Sequence, residues 1–198
     1  MVYNLKASGA RAPVSVYNSG ATVYRQGDVA GALYVVKFGC ILLSRVTRTG
    51  TRQVSGFFLP GEAFGWEIEP EHRFTAEAAG TTSVETFGHV HTRQAAEWRQ
   101  SQLVPSLANL RDQLMIISRP TADARVAAFL DDMMKRQRST RRVYLPMHRF
   151  DIADYLGLSP ETISRVLRRF QESELIRSRN IHVIDALDPE QLWKIYNK

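Results

Sequence analysis

Glu161, Ser164, Arg165 and Arg168 stand three, one and three positions apart, a spacing that gathers them on one side of a helix. A carboxylate, a hydroxyl and two guanidiniums so arranged suit the base edges of a DNA major groove. Arginine gives two hydrogen bonds to guanine O6 and N7, glutamate accepts from the cytosine amino group, and serine meets either base type or a phosphate. A carboxylate near phosphates is repelled unless it gains a base contact, so Glu161 argues for base reading. Thr162, Arg168, Arg169, Arg149, Arg177 and Arg179 are expected on the backbone, where contacts fix position without reading sequence. The bland alternative is a helical hairpin with a solvated charged face.

A reading helix must be held at a fixed angle, and the flanking residues supply what a helix-turn-helix needs. Ile152 and Leu156 share one face of a first short helix, and the small Ala153 lets a second helix cross closely. Gly157 stands at the turn, where a helix end often needs positive φ. Ser159 suits the N-cap of the second helix and Pro160 its first position. Ile163, Val166, Leu167 and Phe170 form its apolar stripe. Small, turn, cap and polar positions agree, which favours DNA reading over the solvated hairpin. Leu175-Ile176 and Ile181-His182-Val183-Ile184 flank Arg177-Ser178-Arg179-Asn180 and predict a β-wing.

Upstream, about Val14 to Val90 reads as β structure. Runs such as Leu33-Tyr34-Val35-Val36 and Ile41-Leu42-Leu43 are separated by Gly27-Asp28, Gly39, Thr49-Gly50 and Pro60-Gly61, the pattern of a sandwich or barrel. Leu103, Leu107, Leu110, Leu114 and Ile117 then follow at four, three, four and three, an a/d seam on one helix face. By itself the seam suits either docking on the β domain or pairing with a second subunit. Pro105 is expected in the first turn of that helix. Arg119-Pro120 ends it, and Thr121 or Asp123 caps the next, with Val126, Phe129, Leu130 and Met133 or Met134 inward. Residues 135–142 are expected as a loop and 143–146 as a short strand. The divisions implied are a β domain over 1–97, a helix over 98–119 and a DNA-binding domain over 120–198.

Charge agrees with this placement. The chain of 198 residues has a formal net charge of +6, and Lys135–Arg179 holds 11 basic against 5 acidic residues. A basic window in an otherwise balanced chain points to a polyanionic partner. No apolar run approaches the ~20 residues of a membrane span, and Met1–Pro13 has no apolar stretch of a signal peptide, so the expected compartment is the cytoplasm. The one cysteine, Cys40, cannot form an internal disulfide or multi-cysteine metal site. It reads as a small buried hydrophobe. No phosphate-cradling loop, nucleophile elbow or metal-ligand cluster is apparent, and Asp131-Asp132 reads as a solvated helix face. An enzyme is not expected. Nor is an RNA-binding protein, since aromatic-rich strand motifs are absent.

Over nearly its whole length the chain resembles the Crp/Fnr family of bacterial regulators. Residues 152–165, Ile-Ala-Asp-Tyr-Leu-Gly-Leu-Ser-Pro-Glu-Thr-Ile-Ser-Arg, are similar to the winged-helix core of the Fnr and FixK branches, and Arg125-Val126-Ala127-Ala128-Phe129-Leu130 to the helix leading into it. Tyr24-Arg25-Gln26-Gly27-Asp28 and Phe58-Leu59-Pro60-Gly61-Glu62-Ala63-Phe64-Gly65 look like its cyclic-nucleotide-binding-type β-roll. The resemblance implies an α+β chain: an N-terminal double-stranded β-helix (a jelly roll), a long dimerisation helix and a C-terminal winged helix-turn-helix. It implies a homodimer joined along the leucine seam, an activator with RNA polymerase as partner, and TTGA-like half-sites read by Glu161, Ser164 and Arg165.

The resemblance is weakest where an effector would bind. Members that bind cyclic AMP carry a glutamate shortly after the Pro-Gly-Glu turn and an Arg-Ser or Arg-Thr pair for the phosphate. Here Trp66 stands at the first place and Phe74-Thr75 at the second, with Arg73 one position early. Fnr's iron–sulfur cluster needs several cysteines. Haem would need an axial ligand such as His72, His89 or His91, although surface histidines are ordinary at a strand-to-helix junction. The expectation is a regulator without a cofactor; the alternative is a ligand-gated sensor whose DNA binding is conditional.

Overall fold

In the computed structural model, residues 13–87 and 93–197 are described. The chain divides into two compact units. One comprises the residues up to Arg45 with Phe57–Leu110; the other comprises Val46–Gly56 with the residues from Arg111 onward.

Antiparallel strands build two four-stranded sheets. β1 (Val14–Tyr17), β8 (Thr82–Phe87), β3 (Leu33–Phe38) and β6 (Ala63–Phe64) form one sheet in that order. β2 (Thr22–Tyr24), β7 (Thr75–Ala78), β4 (Ile41–Val46) and β5 (Arg52–Phe58) form the other. Side chains alternate across a strand, and the inward set of Tyr24, Val36, Ile41, Phe64, Ala76, Ala78 and Val84 makes the core between the sheets. Gly39 turns β3 into β4 with φ 85°, and a Cβ there would meet Thr82 Cα at 2.7 Å. Cys40 is fully buried, as expected for a small core residue.

α1 runs from Arg93 to Ile117, starting before the expected residue 98. Pro105 lies inside the helix, not in its first turn. A proline interior to a helix removes one backbone hydrogen bond, and α1 continues through it. Leu103, Leu107, Leu110 and Leu114 are exposed, each by 44% or more, whereas Ile116 is buried and Ile117 is intermediate.

The second unit is a helical core with a small sheet. α2 (Ala122–Arg136) is capped by Thr121, whose hydroxyl accepts the Ala124 N–H at 3.1 Å. It buries Val126, Ala127, Phe129, Leu130 and Met133, and it extends two residues further, through Arg136, than the sequence suggests. β9 (Arg142–Tyr144), α3 (Arg149–Leu156), α4 (Pro160–Glu172), β10 (Ile176–Ser178) and β11 (Val183–Ala186) follow, with sheet order β10-β11-β9. A last helix, α5 (Pro189–Tyr196), capped by Asp188, had no counterpart in the sequence reading. It packs on α2, where the Tyr196 hydroxyl donates to Asp131 at 2.6 Å. Asp131 and Asp132 are therefore not a solvated face. Their side chains are 20% and 19% exposed and pair with Lys135 and Arg136 one turn on.

Phe129 is 1% exposed in the centre of this core and packs at a tilt against Tyr155 of α3, ring centres 5.7 Å apart. Phe129→Ala should cost the second unit about 3–5 kcal/mol, read as a lower urea midpoint with an unchanged slope. A loss below about 1 kcal/mol would place the centre of the core elsewhere.

Candidate nucleic-acid interface

The reading helix is fixed from both ends of the turn that precedes it. Asp151 accepts the His148 N–H at 3.1 Å and so closes the first turn of α3. Gly157 ends α3 in the left-handed conformation, φ 63° and ψ 41°, which costs glycine little and other residues about 1 kcal/mol or more. Arg125 of α2 reinforces this end, donating to the carbonyl of Leu156 at 3.2 Å and to that of Arg119 at 2.8 Å. Ser159 then caps α4 by accepting the Thr162 N–H at 3.2 Å, and Pro160 takes the first helical position. Ala153 is fully buried, and Ile163, Val166, Leu167 and Phe170 are each at most 6% exposed.

With that stripe inward, Glu161, Ser164, Arg165, Arg168 and Arg169 are all exposed. The structure thus brings the expected base-reading set together on one side of a capped helix. Glu161 is held below its ordinary carboxylate value by its own backbone N–H and the Ser159 hydroxyl, with the Arg165 charge adding to them. It is an anion that only accepts. Arg165 rests against Thr162, donating to its hydroxyl at 3.2 Å. Ser164 donates to the Pro160 carbonyl at 2.9 Å, which leaves its lone pairs for an incoming donor.

The expected backbone residues are less uniform. Arg168 pairs with Glu172 at 2.8 Å on the same helix, and Arg169 reaches across to Asp123. Arg149 is half-buried in the first turn of α3, and burial lowers its pKa. Thr162 serves Ser159 and Arg165 within α4. Arg177 and Arg179 are exposed on the wing. Two contacts escaped sequence reasoning. Arg52, at the tip of the β4–β5 hairpin, pairs with Asp151 at 2.9 Å and Asp154 at 3.0 Å. Arg142 shares Asp185 with Arg179. No local pattern announces either, because the first pair spans about a hundred residues and the second needs the strand register.

Residues 124–195 match the description "Crp-like helix-turn-helix domain" and residues 14–96 match "Cyclic nucleotide-binding domain". The nitrogen fixation regulation protein FixK of Rhizobium meliloti is 40% identical over 93% of this chain and 87% of its own length. The chain belongs to the Crp/Fnr family. Like that family's FixK-, Anr- and Fnr-type members, it is a transcription regulator that binds DNA through its helix-turn-helix. The transcriptional activator protein Anr of Pseudomonas protegens is 34% identical over 85% of this chain and 75% of its own. The structure of FixK2 from Bradyrhizobium japonicum superimposes with a TM-score of 0.85 at 30% identity, covering 94% of this chain and 98% of that one. The jelly roll and winged helix are those the sequence resemblance implied.

The segment from Trp66 to Phe74 is built as follows. Trp66 buries its indole N–H without a hydrogen-bond partner among the described residues. Arg73 turns outward, 61% exposed and 3.9 Å from Glu69. Arg45 lies over the Phe74 ring. His72 is buried, stacked on Tyr24 with ring centres 3.6 Å apart, and its Nδ1 is 3.5 Å from the Glu67 carboxylate. His89 and His91 lie outside the described residues.

Two substitutions separate holding the reading helix from reading with it. Ser159→Ala should cost about 1 kcal/mol of stability through the lost cap, while the ratio of specific to scrambled-DNA binding stays constant. Arg165→Ala should leave the melting temperature unchanged and cost about 1–3 kcal/mol at the guanine position alone. Equal weakening on every duplex would make Arg165 a phosphate contact.

Proposed function

We propose that this regulator works as a homodimer on two-fold TTGA-like sites and binds them without a cyclic nucleotide, haem or an iron–sulfur cluster. The observation that carries the reading is the capped helix α4, with its apolar stripe buried and Glu161, Ser164 and Arg165 exposed together. Glutamate, serine and arginine at that spacing match the Fnr-type triplet that reads such half-sites.

Pairing is supported by the open leucines of α1. Leu103, Leu107, Leu110 and Leu114, joined by Val104 and Met115, leave more apolar surface along one helix than water favours. A second α1 is the partner whose pattern matches, with Ile117 at the end of the seam. Two-fold pairing sets the half-sites about one helical turn apart, ~34 Å.

Independence from an effector is supported by the β-roll. Trp66 and Phe74 offer an anionic phosphate an indole and a phenyl ring, and Arg73 faces solvent. The imidazole of His72, the described haem candidate, is covered by Tyr24 on one face and faces Glu67 at Nδ1, which is not how an axial ligand is presented. The sequence has one cysteine, too few for a cluster held by several thiolates. Among the described residues no group of three acidic, histidine or cysteine side chains could hold a metal ion, and no helix is long and apolar enough to cross a membrane. Relatives named as a regulation protein and a transcriptional activator support an activator that works in the cytoplasm with RNA polymerase as partner.

The test is binding of the purified protein, stripped of metal and nucleotide, to a TTGA…TCAA palindrome against a scrambled duplex. Tight, specific binding without additives is expected. Binding that appears only with an added ligand would restore the sensor reading. Leu110→Asp with Leu114→Asp should give a monomer by sedimentation that no longer holds the two-fold site; a surviving dimer would mean that the seam packs elsewhere.

A further inference from the structure

The outer face of the wing sheet carries a group of charges that base reading does not use. Asp185 of β11 lies directly opposite Arg142 of β9 on one side and Arg177 of β10 on the other. Residues opposite one another in a ladder share a face. The alternate residues, Val143, Ile176, Ile184 and Ala186, are buried on the inner face. All three charged side chains therefore stand on the outer one.

Asp185 binds two of the neighbouring arginines at once. One carboxylate oxygen accepts from Arg142 Nε at 2.6 Å and the other from Arg179 Nε at 2.5 Å. These bonds draw the Asp185 carboxyl down to about 2, so it stays charged at any physiological pH. Both guanidiniums are thereby held through Nε alone. Among the described residues their η nitrogens have no hydrogen-bond partner, and the two side chains are 63% and 54% exposed.

Two guanidiniums fixed side by side, with outward N–H groups unspent, match the oxygens of a phosphodiester. One carboxylate against Arg142, Arg179 and Arg177 leaves a net charge of +2. The group also adjoins the reading helix, because Gln171 of α4 accepts the Ser178 N–H at 3.2 Å, one residue before Arg179.

We propose that Arg142 and Arg179, spread and aimed by Asp185, form a phosphate-binding pair that grips the DNA backbone beside the half-site. Asp185 is a positioning residue here, an acid whose presence strengthens binding to a polyanion. The proposal rests on the DNA-binding reading above and adds Arg142 and Asp185, which no local sequence pattern assigns to DNA.

The experiment is a salt titration of the full-length protein on the TTGA…TCAA palindrome and on a scrambled duplex, with melting temperatures alongside. Each lost phosphate contact lowers the slope of log K against log salt by about 0.9. Arg142→Ala should reduce the slope by about that amount per subunit and weaken both duplexes alike, leaving their ratio unchanged. Arg142→Lys keeps the charge but not the fork, and should fall between Ala and wild type. Asp185→Asn is the sharper case. If only the field mattered, removing a negative charge would tighten binding at low salt; a positioning role predicts weaker binding at every salt concentration. Should Asp185→Asn melt early, the two Arg142 variants decide alone. An unchanged slope in Arg142→Ala, with Arg165→Ala still losing base preference, overturns this proposal and leaves the reading helix intact. Unchanged DNA binding with lost affinity for RNA polymerase would overturn it in favour of an acidic protein partner. No preference for the palindrome in the wild type would overturn the TTGA reading alone, and a lowered slope in Arg142→Ala on either duplex would still uphold the phosphate pair.

Discussion

The turn from α3 to α4 sets what the molecule can present. Gly157 takes a left-handed conformation that a Cβ would strain, Arg125 holds the carbonyl just before it, and Ser159 and Pro160 start the next helix at once. With so short a link, the angle between the helices is fixed by contact, above all by fully buried Ala153 and Val166. Rotating α4 by one residue would turn its stripe toward water and put Arg165 or Arg168 into the core. The energy that orients the base-reading side chains is thus hydrophobic and lies on the face opposite them.

A second constraint is electrostatic. Arginines around the reading helix hold acid partners: Arg168 with Glu172, Arg169 with Asp123, Arg142 and Arg179 with Asp185. Exposed pairs such as Arg168–Glu172 and Arg169–Asp123 are each worth only about 0–1 kcal/mol, so exchanging either carboxylate for a phosphate costs little. Their value before binding is to keep long side chains from scattering. Arg52 differs, because Asp151 and Asp154 bind it at less exposed positions and Asp151 also closes the first turn of α3. The hairpin tip that carries Arg52 clusters with the DNA-binding unit.

The β-roll keeps its family's shape. Strand alternation, the Gly39 turn and the core around Tyr24 and Phe64 are geometric requirements of two facing sheets. The segment from Trp66 to Phe74 is under no such constraint, and here it includes a buried His72 stacked on Tyr24.

How much of this was legible in the sequence follows from the range of each interaction. The helix-turn-helix was, because cap, glycine turn, small residue and apolar stripe act within a few residues and leave a local pattern from Ile152 to Phe170. So were the glycine-punctuated strands of the β domain and the leucine spacing of α1. The start of α1 and the interior place of Pro105 were not, since a helix tolerates one missing hydrogen bond when its neighbours continue it. Asp131 was misread because its partner, Tyr196, arrives from the far end of the chain. Arg52 beside Asp151, and Arg142 beside Asp185, likewise depend on which distant segments become neighbours. The sequence by itself determined what kind of surface the reading helix offers. Only the tertiary structure decided which arginines are held, by which acids and in what direction, because ion pairs form between positions that the fold, not the chain order, brings within reach.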